Sequence, residues 1–220
     1  PWISRINAFE VAISDNPTLE NWNNREAMAR NVLSAVKDGD NHEILIVAHS
    51  VGTQIGLLAL ADAMKLDASA MAQAIKEARL CFVTLGQTIP VTSQISQPIS
   101  RALKTVGESS VCWLDVSAPA DPACYALVDS YQDRFHGAAR VHVENARFFQ
   151  AFAPETYRKA QADRFVMHFL YLMTPDATEQ QDRLAGFDLY ALMTAPELLA
   201  ESLPDIPSNV KPFYARATAK

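Results

Sequence analysis

Residues 43–60 of the chain, EILIVAHSVGTQIGLLAL, decide the fold class. Residues 43–48 form a short apolar run rich in β-branched side chains, typical of a central parallel strand buried on both faces. Residues 52–65 are apolar nearly all round and predict a buried helix. A strand followed at once by a helix predicts a sharp turn at residues 48–52, AHSVG.

This turn matches the nucleophile-elbow motif G-x-S-x-G, with Ala48 in place of the first glycine. The elbow strains its serine and is expected to need small residues two positions before and after it, here Ala48 and Gly52. The following helix directs its free N–H groups toward the turn. We therefore expect Ser50 to be a nucleophile and Val51 N–H to be an oxyanion-hole donor. The alternative is a serine that only caps the helix.

Strand and helix patterns alternate outward from this turn to about residue 170. Further strands are predicted at 80–84, 111–116 and 140–144. Helices are predicted at 68–78, at 98–106, at 122–132 with an uncertain length, and over most of 155–202. We therefore expect an α/β fold in which a mostly parallel sheet carries helices on both faces.

Other parts of the chain give weaker patterns. Asn16-Pro17 predicts the start of a helix that ends at Gly39. The apolar face predicted for that helix consists of Met28, Val32, Leu33 and Val36. The Ser-, Thr- and Gln-rich residues 91–100 predict a loop. The tail is expected to be irregular because it contains Pro204, Pro207 and Pro212.

Composition argues against several classes of protein. The 220 residues fit one domain, and 49% hydrophobic with 20% charged residues argues against a disordered or fibrous chain. The net charge of −6 gives no electrostatic footprint for nucleic acid or an anionic membrane surface. Cys81, Cys112 and Cys124 predict no disulfide framework and a reducing compartment. No zinc-ligand spacing, P-loop or dinucleotide motif occurs, so neither a metal nor a cofactor is expected.

Membrane insertion and export are not predicted from these residues. No apolar run reaches the ~18 residues that a membrane span needs, and no signal peptide is visible. Because the chain begins at Pro1, an upstream segment that carries an anchor is a possibility left open. The expected localisation is therefore cytoplasmic, or membrane-associated through such a segment.

Residues 43–60 resemble the nucleophile strand, elbow and following helix of the α/β-hydrolase superfamily, in its lipase and esterase branch. Residues 84–86, Thr-Leu-Gly, resemble the Thr-Leu-Gly-Ser-Pro stretch that often ends the next strand in lipases, with Gln87 where serine is usual. The resemblance covers about residues 17–175, the second half of the usual fold. It implies a three-layer sandwich and a catalytic triad in the chain order serine, acid, histidine.

The acid of such a triad follows the second strand after the elbow, which is the predicted strand 111–116. Asp121 is the preferred candidate, because it stands in an Asp-Pro pair beyond this strand, as in the family's acid loop. Asp115, at the end of the strand, is the alternative acid, and Asp121 would then be a turn or capping residue. Asp129 and Asp133 are predicted on a solvated helix.

The base of such a triad follows the last strand, where His168 lies near the start of the stretch 167–172. A serine hydroxyl needs this base, and the acid orients the base. The alternative for His168 is a partly buried helical histidine held by the backbone. The other histidines are excluded by position, since they lie before the elbow strand, inside the elbow, before the last strand and on that strand's polar face: His42, His49, His136 and His142.

The chain departs from the family at its amino-terminal side. Only 42 residues precede the elbow strand, where the usual fold has four strands and the loop with the second oxyanion donor. We expect one domain over residues 1–220 without those strands. It is either part of a longer protein or a reduced domain with an impaired oxyanion hole. Losing one donor typically slows catalysis about 10²–10³-fold.

The expected function is cleavage of a carboxylic ester by a serine hydrolase through an acyl-enzyme. The lipase-like resemblance implies a lipid or lysophospholipid as substrate. Two alternatives stay open: a binding module of the same fold without turnover, and an acyltransferase that uses an acceptor other than water. The expected partners are a small ester or lipid and a missing amino-terminal segment of the same protein, and nucleic acid is not expected.

Overall fold

The computed structural model describes residues 23–40, 43–138, 140–176 and 187–194. Its centre is a sheet of four strands: β1 Ile44–His49, β2 Leu80–Leu85, β3 Cys112–Ser117 and β4 His142–Asn145. Neighbouring strands are parallel, and their order in the sheet is the order of the chain. This confirms the predicted α/β class. The carboxyl ends of all four strands therefore lie at one edge of the sheet.

Helices lie between the strands and at both ends of the described chain. The sheet is preceded by α1 Asn23–Lys37. The connections contain α2 Gly52–Leu66, α3 Ala68–Lys76, α4 Ile89–Ile95, α5 Gln97–Glu108 and α6 Ser130–Phe135. After the sheet come α7 Phe148–Ala151, α8 Pro154–Ala162, α9 Arg164–Phe169, the 3₁₀ turn Leu170–Leu172 and α10 Leu189–Thr194. None of the described helices is long and apolar enough to cross a bilayer.

Helices cover both faces of the sheet because successive strand residues point to opposite faces. Phe82 and Trp113, with ring centroids 5.1 Å apart, point to the face covered by α1, α2, α3 and α5. Val83 and Leu114 point to the other face, where they pack against residues of α7, α8 and α9. Each face of the sheet has its own buried hydrophobic cluster among the described residues.

The prediction that the elbow strand is buried on both faces is wrong for the described residues. Val47 of β1 is 37% exposed, whereas β2 and β3 are buried at every position. The reason is the strand order, since β2 and β3 each lie between two strands and the described residues give β1 only one neighbour.

The loop predicted over residues 91–100 is also wrong, because α4 and the start of α5 occupy it. Pro90 and Pro98 each stand in the first turn of a helix, where a missing N–H costs no hydrogen bond. The buried hydroxyls of Thr92 and Ser93 donate to carbonyls of the preceding turn. Packing thus overrides the weak helical propensity of these residues.

Between β3 and β4, the predicted helix over 122–132 is replaced by turns that end in the short α6. Asp129 is not on a solvated helix face but caps α6. Its Oδ1 accepts the N–H groups of Tyr131 and Gln132. Its Oδ2 accepts two more backbone N–H groups just before β4. Asp133 does lie on α6 and is exposed, as predicted.

Two smaller predictions need correction. Met28 is 41% exposed and does not belong to the buried face of α1, which instead includes Ala29 and Val36 with the partly buried Val32 and Leu33. His142 is half-buried rather than a surface residue and bonds Glu144. The predicted helix start at residues 16–17, the proline-rich tail and parts of 155–202 lie outside the described residues.

Candidate active site

Ser50 occupies a strained turn between β1 and α2. Its φ is 57°, in the left-handed region that a residue with a Cβ adopts at a cost of about 1–2 kcal/mol. Its N–H donates to Leu85 O at 2.9 Å, which continues the β1–β2 pairing by one residue. Its carbonyl accepts the hydroxyl of Thr53 at 2.7 Å. These bonds hold the strained residue with its side chain at the carboxyl edge of the sheet.

The structure requires a small residue before the serine, at Ala48, but not after it, at Gly52. Ala48 is buried, and a Cβ added to Gly56 of α2 would lie 3.1 Å from the Ala48 Cβ and 3.1 Å from the Phe82 ring. A Cβ added to Gly52 would meet nothing within 4 Å among the described residues. The close approach of helix and strand thus occurs one turn into α2, at Gly56, and not at Gly52.

The structure brings Ser50, His168 and Asp121 into one hydrogen-bonded chain. His168 Nε2 lies 2.7 Å from Ser50 Oγ, and His168 Nδ1 lies 2.7 Å from Asp121 Oδ2. An ionised carboxylate only accepts hydrogen bonds, so Nδ1 carries the ring proton and Nε2 is left to accept the serine O–H. Asp121 and His168 are buried at 3% and 8% exposure, which shields the bond between them from water, whereas Ser50 is only partly buried.

Asp115, the alternative acid, makes no hydrogen bond with His168 and belongs to a separate hydrogen-bond network of buried side chains. Its carboxyl accepts the hydroxyls of Thr84 at 2.7 Å and Ser117 at 3.1 Å. Complete burial raises the pKa of Asp115 to about 7, because desolvation outweighs these hydrogen bonds. Asp121 is therefore the carboxylate that faces the histidine.

Tyr171 holds Asp121 in place, and the sequence interpretation did not include it. Its hydroxyl donates to Asp121 Oδ2 at 3.2 Å and accepts Ala118 N–H at 3.0 Å. The other carboxylate oxygen, Oδ1, accepts Ala123 N–H at 2.9 Å. Burial raises the pKa of the Tyr171 phenol well above 10, so it remains a donor. The available signal was its position three residues after His168, on the same side of a helical stretch.

Residues 86–87, which directly follow β2, support the acid loop, defined as residues 118–129, which carries Asp121. Gly86 has φ 55°, and a Cβ there would lie 2.8 Å from the Tyr171 ring and 3.2 Å from Asp121 Oδ2. Gln87 Nε2 donates to Val128 O at 2.9 Å. Its Oε1 accepts the Ser130 hydroxyl at 2.5 Å. Gln87 thus ties the carboxyl-terminal end of the acid loop to β2.

The other predicted elbow residues lie beside this chain of hydrogen bonds. Val51 directly precedes α2, and no hydrogen bond to another described residue uses its N–H. His49, the last residue of β1, is half-buried, and its Nε2 donates to His168 O at 2.9 Å. Burial is the main reason that the pKa of His49 is lowered. His136 is exposed at the end of α6, and His42 lies outside the described residues.

The cysteines are poorly placed for nucleophilic chemistry. Cys81 and Cys112 are buried on neighbouring strands with their Sγ atoms 3.0 Å apart. Its hydrogen bond with Cys112 and its burial raise the pKa of Cys81 well above 9.0. Burial raises the pKa of Cys124 to about 12. In the described part of the chain, no cluster of three or more His, Cys, Asp or Glu side chains could hold a metal ion.

Comparisons of the chain with protein-family models, with curated proteins and with solved structures found no match. The functional argument therefore rests on the placement of Ser50, Asp121 and His168 and on the strand order that produces it.

Proposed function

We propose that the protein is a serine hydrolase with an α/β-hydrolase-like sandwich that cleaves a carboxylic ester. One observation carries the proposal: Ser50 Oγ, the His168 ring and Asp121 Oδ2 are linked by two hydrogen bonds of 2.7 Å each. The topology supports it, because the three residues follow β1, β3 and β4 in turn. The positive φ of Ser50 supports it further, since strained backbone is common at reacting residues.

The proposed reaction uses each group for one task. Ser50 Oγ attacks the ester carbonyl carbon while His168 Nε2 takes its proton. Asp121 stabilises the imidazolium that forms, and Val51 N–H donates to the developing oxyanion. His168 then gives the proton to the leaving alcohol, which departs and leaves an acyl group on Ser50. Water, activated by His168, attacks this acyl-enzyme and releases the carboxylic acid.

Aromatic side chains beside the base support an ester with an apolar group, as a lipid or lysophospholipid has. Phe165 is 70% exposed and packs against Phe169 with ring centroids 4.5 Å apart. The Phe169 ring centroid lies 5.8 Å from that of His168. An apolar chain that covered Phe165 would gain about 25 cal/mol per Å² of surface removed from water.

A fluorophosphonate probe tests the proposal, because it reacts with an activated serine. We expect labelling of the wild-type protein at Ser50, and its loss in Ser50→Ala. Ser69→Ala is the matched control, since Ser69 is an exposed serine on α3, and it should label like the wild type. His168→Ala should lose both labelling and hydrolysis of p-nitrophenyl esters.

Three outcomes would count against ester hydrolysis. Unchanged labelling in Ser50→Ala would place the reactive group elsewhere. A folded wild-type protein that neither labels nor hydrolyses esters would favour the binding-module alternative. Ester products formed from added alcohols in place of free acid would favour acyl transfer.

A further inference from the structure

His49 links the end of β1 to the backbone of the candidate base. Its Nε2 lies 2.9 Å from His168 O, and because a carbonyl oxygen only accepts, Nε2 carries the hydrogen. Its ring centroid lies 4.7 Å from that of His168 and 5.1 Å from that of Phe169. His49 is thus the neighbour of Ser50 in the chain and of His168 in space.

The helix that carries the base has few ties to the elbow. Among the described residues, two hydrogen bonds join β1 and its turn to α9: His49 to His168 O, and the Ser50–His168 bond itself. α9 has only six residues, Arg164–Phe169, and its side that includes Phe165 is exposed. The His49 bond is therefore the one that fixes the distance between β1 and α9 independently of the reacting groups.

We propose that His49 is a positioning residue that holds the His168 backbone so that Nε2 stays aimed at Ser50 Oγ. The inference rests on the proposed hydrolase function. The Asp121 bond fixes the far side of the His168 ring at Nδ1, and the His49 bond fixes the backbone from which the ring extends. Together they leave the ring one orientation toward the serine.

The protonation of His49 suits this role. Burial is the main cause that lowers the pKa of His49, so the ring is neutral at pH 7. A neutral donor 4.7 Å from His168 does not oppose the imidazolium that the proposed reaction forms there. A lysine or arginine in the same place would oppose it.

Two amide substitutions distinguish the hydrogen bond from His49 to His168 O from the mere presence of a polar side chain at position 49. His49→Gln keeps an N–H donor at nearly the reach of Nε2, whereas His49→Asn carries the same amide one methylene shorter. His49→Phe keeps the ring and removes the donor. We expect His49→Asn and His49→Phe to lower kcat for p-nitrophenyl esters about three- to tenfold, the range that one neutral hydrogen bond supplies. KM should change less than about twofold, because ground-state binding is not altered.

His49→Gln should restore kcat to within about twofold of the wild type. The rate of fluorophosphonate labelling should follow the same order, and thermal unfolding of the Gln and Asn variants should coincide. Equal kcat in the Gln and Asn variants, or wild-type kcat in the Phe variant, would overturn the positioning role. A wild-type protein without labelling or hydrolysis would instead overturn the proposed function, so the two failures are distinguishable.

Discussion

Replacing Tyr171 by phenylalanine removes the hydroxyl group that contacts Ala118 and Asp121 of the acid loop. The ring itself is expected to stay, because it is 1% exposed and packs edge to face against Phe148 with centroids 4.8 Å apart. Three hydrogen bonds are lost: one to Asp121 Oδ2, one from Ala118 N–H and a longer one of 3.7 Å with Cys124 Sγ. The substitution therefore tests whether this hydroxyl holds the loop.

The expected cost follows mainly from the bonds with Asp121 and Ala118, because a thiol is a weak hydrogen-bonding group. A hydrogen bond to a charged group contributes about 1.5–3 kcal/mol, and a buried N–H left without a partner costs about 1–3 kcal/mol. Ala118 is 2% exposed, so water does not replace the lost acceptor without a local rearrangement. Because such terms are not additive, we expect the free energy of unfolding to fall by about 2–4 kcal/mol. The kcat for ester hydrolysis should fall as well, since Asp121 loses a donor on the oxygen that faces His168.

Urea unfolding of the wild type and of two variants measures this cost. Tyr157→Phe is the control, because Tyr157 packs against the same hydrophobic cluster and its hydroxyl bonds no other described residue. It should change the free energy of unfolding by less than about 0.5 kcal/mol. A Tyr171→Phe variant as stable as Tyr157→Phe would refute the assignment of the hydroxyl as a support of the acid loop.

Three further substitutions test other parts of the structure. Gly86→Ala should destabilise the protein by more than about 1–2 kcal/mol in urea, because φ is 55° and the new Cβ meets the Tyr171 ring. Gly39→Ala is the control and should not destabilise the protein by this amount, because a Cβ at Gly39 meets no described residue within 4 Å. Asp115→Asn should flatten the pH dependence of stability. The pKa of Asp115 is about 7 in the folded protein and 3.8 ordinarily, so the folded state favours the protonated carboxyl. The stabilisation from this protonated carboxyl is complete below about pH 4 and is lost as the pH rises through 7. Thermal unfolding from pH 4 to 8 measures the slope, and an unchanged slope would contradict the burial argument. Asp129→Ala should lower the free energy of unfolding by about 1–3 kcal/mol, because four backbone N–H groups lose their acceptor. An unfolding midpoint in urea equal to that of the wild type would show that the Asp129 cap does not stabilise the protein.

The positions of Ser50, Asp121 and His168 could be predicted because they depend on topology. Parallel strands end at a common edge, so residues that follow successive strands meet there without any knowledge of side-chain packing. The preference for Asp121 over Asp115 came from the resemblance of its Asp-Pro pair to the family's acid loop, since topology alone places both residues at or beyond the strand end. Asp115 lies within β3 and stays in the buried network.

The contacts of the supporting residues could not be predicted, because they join distant segments, although the position of Tyr171 one helical turn after His168 was a usable signal. Tyr171 and Ala118 are 53 positions apart, and Gln87 and Ser130 are 43 apart. The helix α4 was missed for a related reason, since buried Thr92 and Ser93 form it despite their weak propensity. Local patterns carry no information about which segment will supply a partner or a covering surface.

The separation of 118 positions between Ser50 and His168 also has a consequence for synthesis of the protein. Because the strands stand in the sheet in chain order, the serine turn can form early, but its histidine partner is translated only after all four strands. At roughly 5–20 residues per second, the ribosome needs roughly 6–24 seconds to go from one to the other. A nascent or prematurely terminated chain that ends before α9 therefore carries Ser50 without His168, and the proposed catalytic pair exists only once nearly all of the described fold has been made.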